Sequence, residues 1–233
     1  TALQLNFLVH TATNMTPDVL ELLKRRLAGA LQNRDQNPRA VFGERVGQIN
    51  SSNHYSANEL TAADVPTLNL ETMRRFYNAR FSNAADFTYF FVGAFSVDDI
   101  TPLIEKWIGA LPSTGKKSSA ARDMGVRFPG KLIAEEVRKG KEPASQTVLS
   151  FFADPGFDEL EMHRARAAAG VLNIRLREIL REEMGGTYGV GVGFSNTPPI
   201  QGYGTMTVQF GSAPENIDKM VAATLKEIER LKA

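Results

Sequence analysis

The sequence contains no cysteine among its 233 residues. Disulfide bonds, thiolate zinc sites, iron–sulfur clusters and a cysteine nucleophile are therefore excluded, while the cellular compartment stays undecided. The chain also has almost no net charge, because 27 Lys and Arg residues face 26 Asp and Glu residues, for a formal charge of +1. A chain with this balance has no bulk attraction for nucleic acid or for an anionic membrane, so we expect neither as a partner.

Long apolar runs are missing as well. The apolar stretch 87–95 is far shorter than the roughly 20 residues that span a bilayer, so we expect no membrane span. The sequence begins at Thr1 without an initiator Met or a basic stretch leading into an apolar segment, and it ends at Ala233 inside a predicted helix. We expect an excised or processed piece, so the sequence does not assign a localisation.

Hydrophobic periodicity predicts alternating helices and strands, an α+β pattern. A content of 42% hydrophobic residues supports one large domain or two modest ones. A polar, glycine-containing stretch at 112–125 is the best candidate for a linker. Residues 87–109 and 205–231 share a loosely similar order of strand, turn and helix, which suggests two related units. The predicted strands are 3–9, 87–95, 131–138, 146–152, 188–194 and 202–210. The predicted helices are 17–31, 41–49, 68–80, 97–109, 158–184 and 217–231.

Metal and nucleotide motifs are absent from the sequence. Its three histidines, His10, His54 and His163, include no pair one helical turn apart with a Glu between them, so we expect no metal ligand here. Each histidine is better explained as an ordinary, solvated side chain. There is also no G-x-S-x-G elbow, no Walker A sequence and no G-x-G-x-x-G between a strand and a helix.

Glycines recur through residues 185–193 (G-G-T-Y-G-V-G-V-G). They follow a helix and lie within a strand, the reverse of a phosphate cradle, so nucleotide binding is disfavoured. In an extended strand Gly189, Gly191 and Gly193 point to one face, which leaves that face without side chains. Two interpretations remain open: a helix packs tightly on this face, with residues 185 and 186 as a helix C-cap, or the strand borders a peptide cleft.

Two segments resemble the insulinase and pitrilysin-type zinc metallopeptidases, the inverzincins. Residues 176–190, L-R-E-I-L-R-E-E-M-G-G-T-Y-G-V, are similar to the helix-to-strand motif in the non-zinc-binding second half of these enzymes, where an Arg lies seven positions before a Tyr. Residues 76–95, followed by a helix and Leu111-Pro112, resemble the family's strand before a helix that ends in L-P. The resemblance covers nearly the whole chain and is greatest to the bacterial zinc protease branch, which includes periplasmic members.

The resemblance implies a fold of related units, each an antiparallel-rich mixed sheet covered by helices, as in the mitochondrial processing peptidase. Residues 1–115 would close one α+β unit, and residues 116–233 would form the second unit with the Arg/Tyr motif. Family members enclose a peptide-sized chamber between two halves. Their zinc is held by H-x-x-E-H and a distant Glu in the other half, so we expect no cofactor in this chain and zinc in a complementary half of the parent protein.

The residues that match the family's second-half site are Arg181 and Tyr188. By the resemblance, the Tyr188 hydroxyl would donate to the oxyanion that develops on the scissile carbonyl, and the Arg181 guanidinium would orient substrate carbonyl oxygens. The simpler alternatives are a surface arginine that pairs with Glu178 or with solvent, and a strand tyrosine packed in the core. Arg177 lies one turn earlier on the same helix, but the seven-residue spacing selects Arg181.

Three functions are consistent with these residues. The leading one is the zinc-free, substrate-binding C-terminal portion of a zinc metallopeptidase, inactive alone, with a peptide and the complementary zinc-binding half as partners. A second is a non-catalytic structural or assembly subunit of the same fold. A third is a peptide-binding module in which a peptide adds to the glycine-bearing strand without turnover.

Overall fold

The computed structural model describes residues 2–118, 122–153, 158–187, 189–196 and 204–232. Within these ranges the chain has an α+β fold with seven α-helices and one three-stranded antiparallel sheet. The helices are α1 (Ala2–Thr11), α2 (Pro17–Leu31), α3 (Pro38–Asn50), α4 (Leu70–Phe81), α5 (Val97–Trp107), α6 (Glu159–Leu176) and α7 (Ile217–Lys232). The strands are β1 (Ser145–Ala153), β2 (Val190–Asn196) and β3 (Gly204–Ser212).

Contacts divide the chain into two compact units. The first unit comprises Thr1–Asn33 and Leu60–Ala121, and the second comprises Arg34–Glu59 and Arg122–Ala233. Each unit is therefore built from two separate stretches of sequence.

Side-chain caps fix where several helices begin. Oγ1 of Thr16 accepts a hydrogen bond from the Val19 amide at 3.4 Å, and Pro17 occupies the first turn of α2. Oδ1 of Asp158 accepts from the Glu161 amide at 2.8 Å and caps α6 in the same way. Such caps satisfy amides that have no partner within the helix, so the predicted helix starts near 17 and 158 are confirmed.

The regular elements among the described residues of the first unit are all helices. Leu20, Val65 and Leu111 are its buried apolar residues. The rings of Phe7 on α1 and Trp107 on α5 meet edge to face at 5.7 Å. The Phe7–Trp107 contact joins α1 to α5.

Two predicted strands are wrong in this unit. Residues 3–9 lie in α1, where Ala, Leu and Gln are good helix formers and where Phe7 finds its contact with Trp107. Residues 87–95 form neither helix nor strand, and the Phe90 and Val92 side chains are 86% and 97% exposed. A strand needs a neighbour to satisfy its amides and carbonyls, and the described part of this unit contains no strand that could pair with 87–95.

The second unit contains the sheet, in the order β1-β3-β2. Strands β1, β2 and β3 confirm the predicted strands at 146–152, 188–194 and 202–210, within the described residues. The prediction of a strand at 131–138 is wrong: these residues are irregular, and Leu132 is 96% exposed. Glu135 is instead held by the guanidinium of Arg45 on α3, at 2.5 and 2.7 Å, and no described strand lies beside it.

The core of the second unit lies on one face of the sheet. It joins α6 and its continuation to β3 and α7, and its buried members are Leu172, Leu176, Leu180, Val208, Phe210 and Met220. Val190 and Val192 of β2 pack against this cluster from the strand side. Helices α6 and α7 therefore pack on the valine side of β2, and the glycines of β2 face the other way.

Candidate functional site

Arg181 lies on a π-helix that continues α6. The π-helix covers Arg177–Glu183, and its end is marked by the Met184 amide, which donates to the Ile179 carbonyl at 3.0 Å. A π-helix carries an extra residue in its turn, and such turns occur frequently at functional sites. Leu180 is fully buried, so it fixes the rotation of the turn that presents Arg181.

The guanidinium of Arg181 is exposed, and the acid expected to pair with it is occupied. Oε2 of Glu178 binds Nη1 of Arg175 at 2.5 Å. Within the described residues Arg181 has no ion pair, so it does not bridge to Glu178, and the structure contains the other form of the simpler alternative, an arginine exposed to solvent. The side chain is therefore available to a ligand. Arg177, the neighbour one turn earlier, is exposed too.

Tyr188 lies outside the described residues. The residues beside it are tied to each other: Oγ1 of Thr187 donates to the Gly189 carbonyl at 2.9 Å, and the Gly189 amide donates to Thr187 Oγ1 at 3.1 Å. The joint Arg181–Tyr188 site stays a prediction.

Gly185 and Gly186 end the π-helix, which confirms their predicted role as a C-cap. Gly185 has φ +59°, in the left-handed region that favours glycine. The Gly186 amide donates to the Leu180 carbonyl at 3.0 Å. A Cβ at Gly186 would lie 2.8 Å from Sδ of Met220 on α7, so only glycine permits this close approach.

The glycine face of β2 is open. A Cβ built on Gly193 meets no atom within 4 Å, and one built on Gly191 meets only the side chain of Gln209. The interpretation that a helix packs on this face is therefore wrong for these two glycines. The face belongs to a cavity of about 350 Å³ whose lining includes Gly191, Gly193, Ser195, Thr205, Thr207 and Gln209.

A side chain of α6 occupies the outer edge of β2. The Val192 amide donates to Oδ1 of Asn173 at 3.1 Å. A peptide that added to β2 as a further strand would have to displace this amide side chain. The third function suggested by the sequence, strand addition at β2, thus meets a specific obstacle at Val192.

A buried carboxylate connects α7 to α6. Glu227 is 5% exposed, and its Oε1 accepts from Arg230 at 2.8 Å and from Arg175 at 3.1 Å. Burial acting alone would raise the pKa of Glu227, but the hydrogen bonds from Arg230 and Arg175 outweigh it, so the pKa lies below the usual value for Glu. Arg175 thereby links Glu227 to Glu178, the residue that leaves Arg181 free.

The described residues offer no site for a resident metal. They include no group of three or more His, Cys, Asp or Glu side chains that could hold an ion. His54 Nε2 lies 2.9 Å from the Met124 carbonyl, and His10 Nδ1 lies 2.7 Å from the Phe81 carbonyl, so both rings are engaged with backbone oxygens. His163 is exposed on α6 with Glu159 at 3.7 Å. No helix in these ranges combines the length and hydropathy that crossing a bilayer requires.

Sequence reasoning missed several features of this region. Asn173, Glu227 and Arg175 are polar residues on helices and gave no motif. Thr205, Thr207 and Gln209 alternate along β3, and this pattern indicates a polar face of the strand. It locates the glycine face only when the strand pairing is known, because the pairing sets Gly191 and Gly193 beside these residues. The π-helix could not be predicted, because an analysis based on the 3.6-residue period of the α-helix does not distinguish it.

Comparison with known proteins identifies the family. The model of the peptidase M16 inactive domain matches residues 67–233. The zinc protease PQQL-like of Arabidopsis thaliana is 25% identical over 248 residues, which covers 99% of this chain and 26% of the relative. The chain therefore spans about a quarter of that protein's length.

Solved structures share the fold. The periplasmic protease PqqL from Escherichia coli superposes with a TM-score of 0.78 at 20% identity, over 92% of this chain and 24% of that one. The ferredoxin protease FusC, solved in complex with Arabidopsis ferredoxin, gives a TM-score of 0.76 at 17% identity, over 99% of this chain and 25% of that one. The peptidase M16 inactive domain from Pseudomonas fluorescens gives 0.69 at 20% identity, over 97% of this chain and 55% of that one.

The resemblance seen in the sequence is thus confirmed by a family model that matches well over half of the residues. The chain belongs to the peptidase M16 inactive-domain family, and it is related to the zinc proteases of that family.

Proposed function

We propose that the chain is the zinc-free, substrate-binding portion of an M16 zinc metallopeptidase. The observation that carries the proposal is the state of Arg181: it is exposed on a π-helix, and its expected partner Glu178 is bound to Arg175. A free guanidinium has five N–H donors in a fixed fork and suits the carbonyl oxygens of an extended peptide.

Tyr188 supplies the second contact in this proposal. Its hydroxyl donates to the carbonyl oxygen of the scissile bond as negative charge develops there, while Arg181 holds a neighbouring carbonyl. Donors aimed at a developing oxyanion stabilise the transition state more than the ground state, which is why they accelerate the reaction. The Thr187–Gly189 hydrogen bonds support the role by tying together the two residues that flank Tyr188.

The rest of the machinery lies elsewhere in the parent protein. In this proposal zinc and the general base belong to a complementary half, as the resemblance to the zinc metallopeptidases implies. Residues 1–115 would close one α+β unit and residues 116–233 would form much of a related one, with the two halves of the parent enclosing the peptide. The relative FusC, a ferredoxin protease solved with ferredoxin bound, supports a polypeptide as the substrate class.

The test is cleavage of a quenched peptide library by the intact parent protein. We expect turnover that a chelator stops and that falls by roughly 10²-fold in Tyr188→Phe and in Arg181→Ala, chiefly in kcat for the tyrosine. Arg177→Ala is the matched control, since Arg177 is an exposed arginine on the same π-helix. A loss in Arg177→Ala equal to that in Arg181→Ala would contradict the assignment. A metal-loaded parent that cleaves no peptide would favour the structural-subunit alternative.

A further inference from the structure

Residues 88–92 (T-Y-F-F-V) of the first unit have two different sides. The backbone at Phe87, where the segment begins, is extended, with φ −107° and ψ 149°. From there the exposed fraction of the side chains alternates: Phe90 is 86% exposed, Phe91 36% and Val92 97%. A two-residue period is typical of an extended chain, in which successive side chains point to opposite sides. One side of the segment is therefore packed, and the other is open.

The packed side lies against helices α1 and α4 of the same unit. Phe87 and Tyr89 stack on this side, with ring centroids 6.4 Å apart. The Phe87 ring meets the His10 ring edge to face at 4.7 Å, and the Tyr89 hydroxyl lies 3.1 Å from Nε2 of His10. His10 on α1 is itself fixed by Nδ1, which lies 2.7 Å from the carbonyl oxygen of Phe81 on α4. These contacts hold the segment in place through one side only.

The backbone of residues 88–92 is unpaired within the described part of the chain. On either side of the segment, backbone hydrogen bonds resume only at the amides of Phe87 and Ile100. An extended backbone with free N–H and C=O groups is able to pair with a neighbouring strand. The regular elements described in this unit are all helices, so the unit itself supplies no such neighbour.

The first unit also buries little apolar surface. Its buried apolar residues in the described ranges are Leu20, Val65 and Leu111. Phe90 and Val92 lie two positions apart on the open side, so they form a continuous apolar surface. Burial of such a surface is favourable, and an exposed one of this kind marks an interaction site. A partner that covers Phe90 and Val92 would therefore stabilise the unit.

These observations favour one occupant over the others. A helix already satisfies its own backbone groups, so a strand suits the free N–H and C=O groups better. Residues 87–95 contain no Asp, Glu, Lys, Arg or His, so nothing here attracts a charged partner. A substrate peptide would leave Phe90 and Val92 in water each time it departed, whereas a strand of the parent protein covers them permanently. The chain spans only 26% of the length of its PQQL-like relative, and a parent of that length contains ample further polypeptide.

We propose that residues 88–92 are an edge to which a β-strand of the parent polypeptide, from outside residues 1–233, is added. Its backbone pairs with theirs, and its side chains on the open side pack beside Phe90 and Val92. This interface is separate from Arg181 and does not depend on peptidase activity. It also explains why a segment with the composition of a strand remains unpaired in the chain alone.

The test is hydrogen–deuterium exchange at residues 88–92, followed residue by residue in the intact parent protein and in the 233-residue chain. We expect alternate amides to exchange at least roughly 100-fold more slowly in the parent, because every second N–H of a strand points to a given neighbour. Amides within α4 are the internal reference, since the helix bonds them in both proteins. This comparison requires no substitution, so it stands whether or not a variant folds.

A matched pair of substitutions tests the open side. Val92 and Leu132 are 97% and 96% exposed in the chain. Val92→Asp and Leu132→Asp should therefore each change the melting temperature of the 233-residue chain by no more than about 2 °C. In the parent we expect only Val92→Asp to lower the melting temperature and to speed exchange at residues 88–92, by roughly tenfold or more, because a carboxylate is then placed against an apolar interface.

Several outcomes would overturn the proposal. Equally fast exchange in the parent and in the chain is one, and a parent in which Val92→Asp has no effect, or no more effect than Leu132→Asp, is another. Protection in the isolated chain that rises with concentration, together with a dimer in light scattering, would identify a second copy as the occupant instead. Protection in the parent that requires an added unstructured peptide would identify a substrate strand instead. None of these readouts measures turnover, so this proposal and the proposed function can fail independently.

Discussion

Nε of Arg175 on α6 donates a hydrogen bond to Oε1 of Glu227 on α7 at 3.1 Å. The same arginine binds Glu178 through Nη1 at 2.5 Å. One guanidinium therefore fastens the last helix of the chain to the helix that leads into the π-turn, and it occupies the acid that would otherwise pair with Arg181. Arg175 therefore both stabilises the contact between α6 and α7 and leaves Arg181 without Glu178 as a partner.

The first prediction concerns the pH dependence of stability. Because the pKa of Glu227 is lowered from its ordinary value of 4.5, the ionised carboxylate stabilises the fold above that pH, and this contribution is lost as pH falls through the lower folded-state pKa. We expect Glu227→Gln to lower the free energy of unfolding at neutral pH by about 1–3 kcal/mol and to flatten its decline in acid. Urea titrations across that pH range measure both effects. Glu229→Gln, at the exposed pair with Lys232, should change little; an equally steep acid decline in Glu227→Gln would contradict the assignment.

The second prediction concerns the glycine that ends the site helix. Gly186→Ala brings a Cβ to 2.8 Å from Sδ of the fully buried Met220, so the Met220 side chain has to shift within the core. We expect a loss of about 1–3 kcal/mol from overpacking, measured by thermal unfolding. Gly193→Ala is the control, because its Cβ meets no atom within 4 Å. Equal melting temperatures for the two variants would show that Met220 moves aside without cost.

The third prediction concerns the core of the second unit. Leu176 is fully buried where α6 meets β3 and α7, whereas Leu160 on the same helix is mostly exposed. We expect Leu176→Ala to cost about 2–5 kcal/mol and Leu160→Ala much less. Chemical denaturation with matched slopes measures the difference. If the two variants lost the same amount, the core would not lie where the structure has it.

The fourth prediction concerns the edge of the sheet. Asn173→Ala removes the acceptor of the Val192 amide, and Asn173→Asp keeps one. We expect amide hydrogen exchange at Val192 to speed up by roughly tenfold in the alanine variant and to stay near the wild-type rate in the aspartate variant. A free edge also promotes association, so light scattering should show more self-association for Asn173→Ala. Protection of Val192 that survives the alanine substitution would mean that another group covers this edge.

Most helices of this chain were predictable because the capping residues and the apolar spacing that define a helix lie within the helix segment itself. Thr16 and Asp158 are capping residues next to apolar residues with helical spacing, and the structure places helix starts at both. Strands β1 and β3 were predictable for a similar reason, since they alternate and have each other as neighbours.

The strands that failed depend on partners that the sequence does not specify. Residues 87–95 are rich in aromatic and β-branched side chains, yet the described residues of the first unit provide no strand beside them. Residues 131–138 gave the same local signal, but no described strand lies beside them, and Glu135 pairs instead with Arg45, 90 residues away in the sequence. Propensity for a strand is realised only where a neighbouring backbone satisfies it.

The candidate site stays a prediction, and its surroundings could not be read from the sequence. The resemblance of the 176–190 segment to the family motif pointed to Arg181, but the Arg175–Glu178 pair could not be read from it, because Glu178 can pair with either arginine on one helix. The glycine face of β2 needed the register of β2 against β3, which sets Gly193 opposite Thr207 and Gly191 opposite Gln209. Register is a long-range property that no single segment contains.

The discontinuity of the second unit has a consequence for how the molecule is made. Asn50 at the end of α3 donates to Oγ of Ser150 on β1, a residue that is synthesised 100 positions later. During translation α3 leaves the ribosome before the strands of the sheet and lacks these contacts until the sheet is complete. The intervening residues 60–121 can meanwhile fold as part of the first unit. Closing so long a loop makes assembly of the second unit a late and slow event. A protease that cuts the 112–125 stretch before the second unit has assembled would separate the strands of the sheet from α3. The newly made chain is therefore most sensitive to proteolysis before the second unit has folded.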